Sequence, residues 1–298
     1  MDITTDNLSK KYDNRKYALK EVSFKVSLNG ILSIIGKNGA GKTTLFRILS
    51  TELMPTSGKA YINGYDVVNE PSKVRELIAV VPQEARAVPW LTPLQTVSSY
   101  LMWRGYTYRE SRSIGRDILR TLGLEKVENE KNRKLSGGMK RKVLVATVIS
   151  SDAPIIFLDE PTTGLDYLSR KELWNLLIKL KKDRLIVLTT HYLEEAENLG
   201  DIIGILDKGS MLAFDNIQGL RKLIKYPFSL KVYSDKFTSI NQDVHVKKLS
   251  NNEIQIFSTE EKIFDIAKSL LANKVKFTVQ EVSLNNIFEY LVEGGVED

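Results

Sequence analysis

The sequence contains no cysteine. Disulfide cross-links and cysteine-held metal centres are therefore excluded, in keeping with a reducing cytosol. It also lacks any apolar run of the roughly 18–20 residues that a membrane-crossing helix needs. Met1 to Lys11 is polar and has no apolar stretch of the kind that forms a secretory signal. Nor is there a strong excess of one charge. The 43 basic and 37 acidic residues leave a net charge of +6, and the two signs are mixed nearly throughout. That pattern reads as scattered surface lysines rather than as a track for nucleic acid or an anionic membrane. A hydrophobic content of 42% and a charged content of 27% are ordinary for a globular protein. The 298 residues suffice for one large and one small domain, or for two of medium size.

What is present is organised around Gly36-Lys37-Asn38-Gly39-Ala40-Gly41-Lys42-Thr43-Thr44. The apolar run Ile31 to Ile35 before it reads as a buried strand, and Leu45 to Leu49 after it reads as the start of a helix. Strand, glycine-rich loop and helix form the context of a phosphate-binding loop. Its glycines let successive N–H groups turn inward on one anion, and the helix start adds the positive end of a dipole. Lys42 is placed to reach the β- and γ-phosphates of a nucleoside triphosphate, and the Thr43 hydroxyl to hold Mg²⁺.

Around this loop, Ile3–Tyr12 and Val22–Leu28 alternate in polarity and predict two antiparallel strands. Tyr12 can be read as a surface aromatic or as a ring that stacks on a base. Residues 55–58 are a turn, and 59–64 a short hairpin strand. Ile78–Val81 is a buried strand closed by Pro82-Gln83, where Gln83 is either a solvated loop residue or a ligand contact. Residues 91–134 read as an inserted helical block, with one helix opened by Thr92-Pro93 and a second over 110–122 that stops at Gly123. Leu135-Ser136-Gly137-Gly138 then begins a helix, either as an ordinary N-cap or as a second anion site. Ile155–Leu158 is a strand that ends in Asp159 and Glu160. There Asp159 can hold Mg²⁺ and Glu160 can polarise a water. After a tight turn at Gly164-Leu165-Asp166, a helix over 169–181 leads to strand 185–188 and to His191, one of two histidines in the chain. The helix 192–199, with Glu194, Glu195 and Glu197, is expected to face solvent. Residues 201–206 and 210–214 form a closing hairpin. Beyond residue 219 the pattern becomes three strands (228–233, 245–249, 253–257, with a turn at 251–252), a helix (260–272), a strand (275–281) and a last helix (285–292). This tail carries no chemical motif.

The order of these pieces resembles the nucleotide-binding domain of ABC transporters, over roughly residues 1–215. It implies an α/β fold: a P-loop NTPase core with an antiparallel β subdomain and an inserted helical subdomain at about 91–134. Together these make an ATP-binding domain of 1–218, followed by a small C-terminal α+β domain of 219–298. The resemblance further implies an ATPase that drives transport, with ATP and Mg²⁺ as its cofactors. Residues 36–44 would be Walker A, and Tyr12 would stack on adenine. Thr43 and Asp159 would hold Mg²⁺, Gln83 would touch Mg²⁺ or the attacking water and couple the site to the membrane partner, Glu160 would be the general base, and His191 would contact the γ-phosphate. Ser136, Gly137 and Gly138 would reach the ATP of a second nucleotide-binding domain, in a homo- or heterodimer, with Asp166 at the seam. Met139 stands where many members have Gln. A separate membrane-embedded subunit is expected as partner, with 90–91 as a docking segment or a local core contact, and no nucleic acid. That places the chain on the cytoplasmic face of the cell membrane. Residues 282–288, 190–197 and 136–141 resemble the drug-exporter branch, which implies export. The alternatives are a soluble ABC-type ATPase acting on ribosomes or DNA, and a module that binds ATP without turnover. A single cassette and the absence of long coiled coils weigh against the first. The intact Asp159-Glu160 pair and His191 weigh against the second.

Overall fold

A computed structural model describes residues 1–12, 16–233, 244–250 and 253–293. The chain divides into two compact units, Met1–Phe214 and Asp215–Asp298. The expected turn at 251–252 lies outside the described residues.

In the first unit, β1 (Asp2–Tyr12) pairs antiparallel with β2 (Lys16–Ser27). The phosphate loop joins β3 (Gly30–Ile35) to α1 (Lys42–Leu49). There follow β4 (Ser57–Ile62), β5 (Tyr65–Asp66), α2 (Pro71–Leu77) and β6 (Ile78–Val81). Next come α3 (Pro93–Trp103), α4 (Tyr108–Thr121), α5 (Gly137–Ile149), β7 (Ile155–Asp159) and α6 (Tyr167–Leu180). The unit closes with β8 (Leu185–Thr190), α7 (Leu193–Leu199), β9 (Ile202–Asp207) and β10 (Ser210–Asp215). The short β5 and α2 carry no expectation from the sequence.

Two sheets result. One runs β2-β1-β4-β5 and the other β10-β9-β3-β8-β7-β6. In the larger sheet β3, β6, β7, β8 and β9 are parallel. Every residue of β3, β7 and β8 is buried. That is why these segments are unbroken apolar runs: helices or the second sheet cover both faces. On one face Phe157 of β7 meets Phe46 of α1 edge-on, with ring centroids 5.6 Å apart. Leu8, Val22 and Ile62 of the small sheet join the same cluster. On the other face Ile156 and Leu158 pack with Val143, Ala146, Leu173 and Trp174.

The helices of the 91–134 block start where their caps direct. Thr92 with Gln95, and Thr107 with Glu110, each form a reciprocal capping box. The chain leaves α4 through Gly123 at φ 68°. Val97, Leu101 and Leu119 share a core with Val143 and Ala146, so α5 packs directly beneath the block. The α7 helix does not face solvent as a whole. Glu195 is fully buried together with Ala196 and Leu199, because this face of the short helix turns toward α6 and β8.

In the second unit, β11 (Phe228–Tyr233) is flanked by β13 (Glu253–Ser258) and β14 (Phe277–Glu281), and β12 (His245–Ser250) pairs with β13, all antiparallel. Ile263, Ala267 and Leu270 of α9 (Glu260–Ala272) cover Leu230, Val232 and Ile256. The flanking helices are α8 (Ile217–Arg221) and α10 (Leu284–Glu293). Arg221 ties α8 to the end of β14: it donates to Val282 O at 3.0 Å and pairs with Glu281.

Phe157 is buried completely and supports α1 from below. Phe157→Ala is expected to lower the stability of this unit by about 3–5 kcal/mol, measured by denaturant unfolding.

Candidate nucleotide site

Four parallel strands end side by side, and the sequence-predicted residues are distributed over these ends. This is the edge where open α/β sheets present ligand sites. After β3, Gly36 passes so close to β9 that a Cβ there would lie 2.3 Å from Leu206 O. Gly41 adopts φ 109°, and a Cβ would lie 2.4 Å from Ala18 O. Neither position admits another residue without displacing backbone. The loop curls over Lys42, whose Nζ donates to Gly36 O at 2.8 Å and lies 3.9 Å from Glu160 Oε1. Burial pushes the Lys42 ammonium below its usual range, and the nearby Glu160 and Asp159 carboxylates act against that shift. Phosphate oxygens at this position would supply the missing counter-charge.

Asp159 ends β7 fully buried. One carboxylate oxygen accepts from Thr189. The other oxygen, Oδ2, is buried and has no partner among the described residues. Burial raises the Asp159 carboxyl above the usual range, while the Thr189 and Thr43 hydroxyls act in the opposite direction. A buried carboxylate oxygen without a donor is costly unless a cation or water meets it. With Thr43 alongside, these are hard oxygen donors of the kind Mg²⁺ takes, and they fit that ion.

Glu160 follows at φ 49°, a left-handed conformation rare for a non-glycine residue. Its Oε2 collects three neighbours: Gln83 Nε2 donates at 3.2 Å, Thr163 Oγ1 donates at 3.2 Å, and His191 Nδ1 lies at 3.2 Å. Its N–H donates to Thr189 O at 3.1 Å. Gln83 and His191 come from loops after β6 and β8, so the structure unites residues 77 and 31 positions away from Glu160. Together with Asn38, Gly39, Thr43 and Thr44 they line a cavity of about 440 Å³, the size of a small-molecule pocket. Lys37, at the loop crest, is exposed, and Ala40 is buried beneath it.

Other expected site residues lie elsewhere. Tyr12 is exposed at the end of β1 and is not among the lining residues, whereas Ala18 of β2 is. Ser136, Gly137 and Gly138 also lie outside this cavity. Ser136 caps α5 by accepting from Met139 N at 3.2 Å. Gly138 lets the start of α5 approach the 164–165 turn, with only 3.3 Å from a built Cβ to Gly164 O. Asp166 caps α6 by accepting from Ser169 N at 2.9 Å, and that bond holds its carboxyl below the usual range. Ser136, Gly137 and Asp166 are exposed. Trp90 is 70% exposed.

Arg141 is a site residue that sequence reasoning missed. It is buried on α5, and its guanidinium donates to the carbonyls of Asp159, Glu160 (3.1 Å) and Pro82 (3.3 Å). It thereby joins the helix that Ser136 begins to the backbone of both carboxylates and to the residue before Gln83. The sequence holds little signal for it, since Arg141 stands between Lys140 and Lys142, five positions after Ser136. Arg141→Met should leave these buried carbonyls unpaired and cost about 1–3 kcal/mol for each. Unfolding in denaturant checks the loss of stability, and ATP hydrolysis should fall with it.

Residues 19–163 match the family model described as ABC transporter. Phospholipid-transporting ATPase ABCA3 of Rattus norvegicus is 36% identical over 196 residues, which cover 66% of this chain and 12% of that protein. ABC transporter A family member 7 of Dictyostelium discoideum is 32% identical over 298 residues, covering 96% of this chain and 36% of that one. The chain thus spans a minor part of the length of these relatives. Among solved structures, the ATP-binding subunit of an ABC transporter superposes with a TM-score of 0.68 at 28% identity, over 75% of this chain and 93% of that one. A dimeric ATP-binding cassette in a post-hydrolysis state with ADP and Pi gives 0.67 at 28% identity, over 72% and 98%. Fold, site and matches agree, and the chain carries an ATP-binding, ATP-hydrolysing domain of the ABC transporter family.

Proposed function

We propose that this chain is the motor subunit of an ABC exporter, in which ATP closes two nucleotide-binding domains on each other and a membrane-spanning partner uses the movement. The observation that carries this is the cavity itself. Lys42, Glu160, Gln83 and His191 converge there from the ends of four strands, and Asp159, whose buried Oδ2 has no partner among the described residues, precedes Glu160. In this reading the 36–44 backbone and Lys42 hold the β- and γ-phosphates, and His191 meets the γ-phosphate from the side of β8. Thr43, Asp159 and Gln83 hold Mg²⁺, which neutralises charge on the phosphate oxygens when bound. Glu160 accepts a proton from the attacking water as the new P–O bond forms and the bond to ADP breaks.

Ser136 and Gly137 are exposed and Gly138 half-buried at the N-terminus of α5 outside this cavity, and Asp166 stands at the start of α6. They serve the ATP of the opposite domain, which makes closure depend on nucleotide. Tyr12 stacks on adenine once nucleotide brings the base to it. The accessory role belongs to the second unit, and the 90–91 segment, with Trp90 exposed, docks the membrane partner on the cytoplasmic side. Among the described residues no helix is long and apolar enough to cross a membrane. The export direction rests on the likeness of residues 282–288 and 190–197 to the drug-exporter branch. The phospholipid-transporting relatives make a lipid or amphiphilic cargo the first class to assay.

Affinity purification from detergent-solubilised host membranes tests the transport reading. Recovery of a multi-span membrane protein in comparable amount is expected. Recovery solely with ribosomal or DNA-bound partners would overturn it in favour of a soluble ATPase. Glu160→Gln should retain ATP binding, slow hydrolysis by at least about 10²-fold, and accumulate a dimer in ATP on size-exclusion chromatography. Stripping Mg²⁺ with a chelator should stop hydrolysis while circular dichroism shows the fold intact.

A further inference from the structure

One buried ionisable group has no part in that chemistry. Glu195 is fully buried on α7 and makes its bonds to three different segments. Trp174 Nε1 of α6 donates to Oε1 at 2.9 Å, and Thr162 Oγ1, in the loop after Glu160, donates to Oε2 at 3.1 Å. The Glu195 N–H donates to Tyr192 O at 3.1 Å, at the end of the turn after β8, and burial raises the Glu195 carboxyl above the usual range while the Thr190, Trp174 and Thr162 groups act against that shift. The Thr190 oxygen accepts from Tyr192 N at 3.0 Å, and this bond closes the turn that presents His191. The Tyr192 ring lies 4.1 Å from the His191 ring, and the Arg170 guanidinium covers Tyr192 at 4.2 Å. Packing α7 alone would be served better by an apolar residue, because a buried carboxylate loses its hydration.

We propose that Glu195 is a positioning residue for ATP hydrolysis: from within the core it locks the 190–192 turn, and hence His191, to the 160–166 loop that carries Glu160 and Asp166. The proposal rests on the reading of His191 as the γ-phosphate contact. Through Glu195, a displacement of the Asp166 loop at a dimer seam reaches His191 without passing through nucleotide.

Steady-state ATPase measurements on Glu195→Leu, Glu195→Gln and Thr162→Val, each alone and combined with His191→Ala, test it. Glu195→Leu should lower kcat by roughly 10- to 100-fold, the scale of a small misplacement of a reacting group, with the KM for ATP nearly unchanged. Glu195→Gln keeps an acceptor for Trp174 Nε1–H and can offer its amide N–H to the Thr162 oxygen, so it should recover most of the rate. Thr162→Val removes one bond with little change of volume and should show a smaller loss of the same kind, so the result stands even if Glu195→Leu does not fold. In the His191→Ala background these losses should vanish. Losses that persist there in full, a rise in KM with unchanged kcat, or Glu195→Gln as impaired as Glu195→Leu would overturn the proposal. A wild-type rate in His191→Ala alone would instead overturn the parent reading of His191.

Discussion

Two adjacent carboxylates at the end of an apolar strand are the constraint on which the rest of this domain depends. Asp159 is buried fully and Glu160 nearly so, in the midst of a sheet whose neighbouring strands offer no charge. Charges so placed are tolerable when donors and cations surround them. The fold supplies these from every side: Thr189 from β8, Thr43 and Lys42 from the phosphate loop, Gln83 from the end of β6, and Arg141 from α5. Among the described residues the carboxylate oxygen Asp159 Oδ2 remains without a donor, and it belongs to the carboxylate suited to a hard cation.

The same arrangement turns local bonds into a connected machine. Arg141 couples the start of α5 to the carboxylate backbone, and in our proposal Glu195 joins the loop after the carboxylates to the turn around His191. The groups expected to serve a second nucleotide, Ser136 and Asp166, are the caps of two helices that these couplings reach. In that proposal a change at either cap would pass through packed core rather than through solvent-exposed loops. Packed cores respond by switching between discrete arrangements and resist gradual deformation. This suits a domain whose chemistry is to follow from closure.

Much of this was legible in the sequence because its signals are local. The phosphate loop needs contiguous glycines for a backbone concavity, and these stand between an apolar run and a helix. The strands β3, β7 and β8 show as unbroken apolar runs because both their faces are covered. The helices of the 91–134 block announce themselves through Thr92-Gln95 and Thr107-Glu110. Motif order then associated Gln83, Glu160 and His191, and the cavity contains all three. Tyr12, by contrast, is absent from the cavity lining, where a β2 alanine stands instead.

The sequence by itself determined the strand–loop–helix elements, their caps and the residue types capable of phosphate chemistry, since those properties depend on neighbours a few positions away. Only the tertiary structure decided which polar groups are buried and what they hold. Glu195 sits among other glutamates in a helix of seven residues, too short for its periodicity to separate a buried acid from exposed ones. Its burial follows from the position of Leu199, one turn on along the same face, against the core. Arg141 reads locally as one more cation in a basic stretch, yet its partners lie 18, 19 and 59 residues away. Long-range donors and acceptors of this kind are chosen by packing, and nothing in a local window records them.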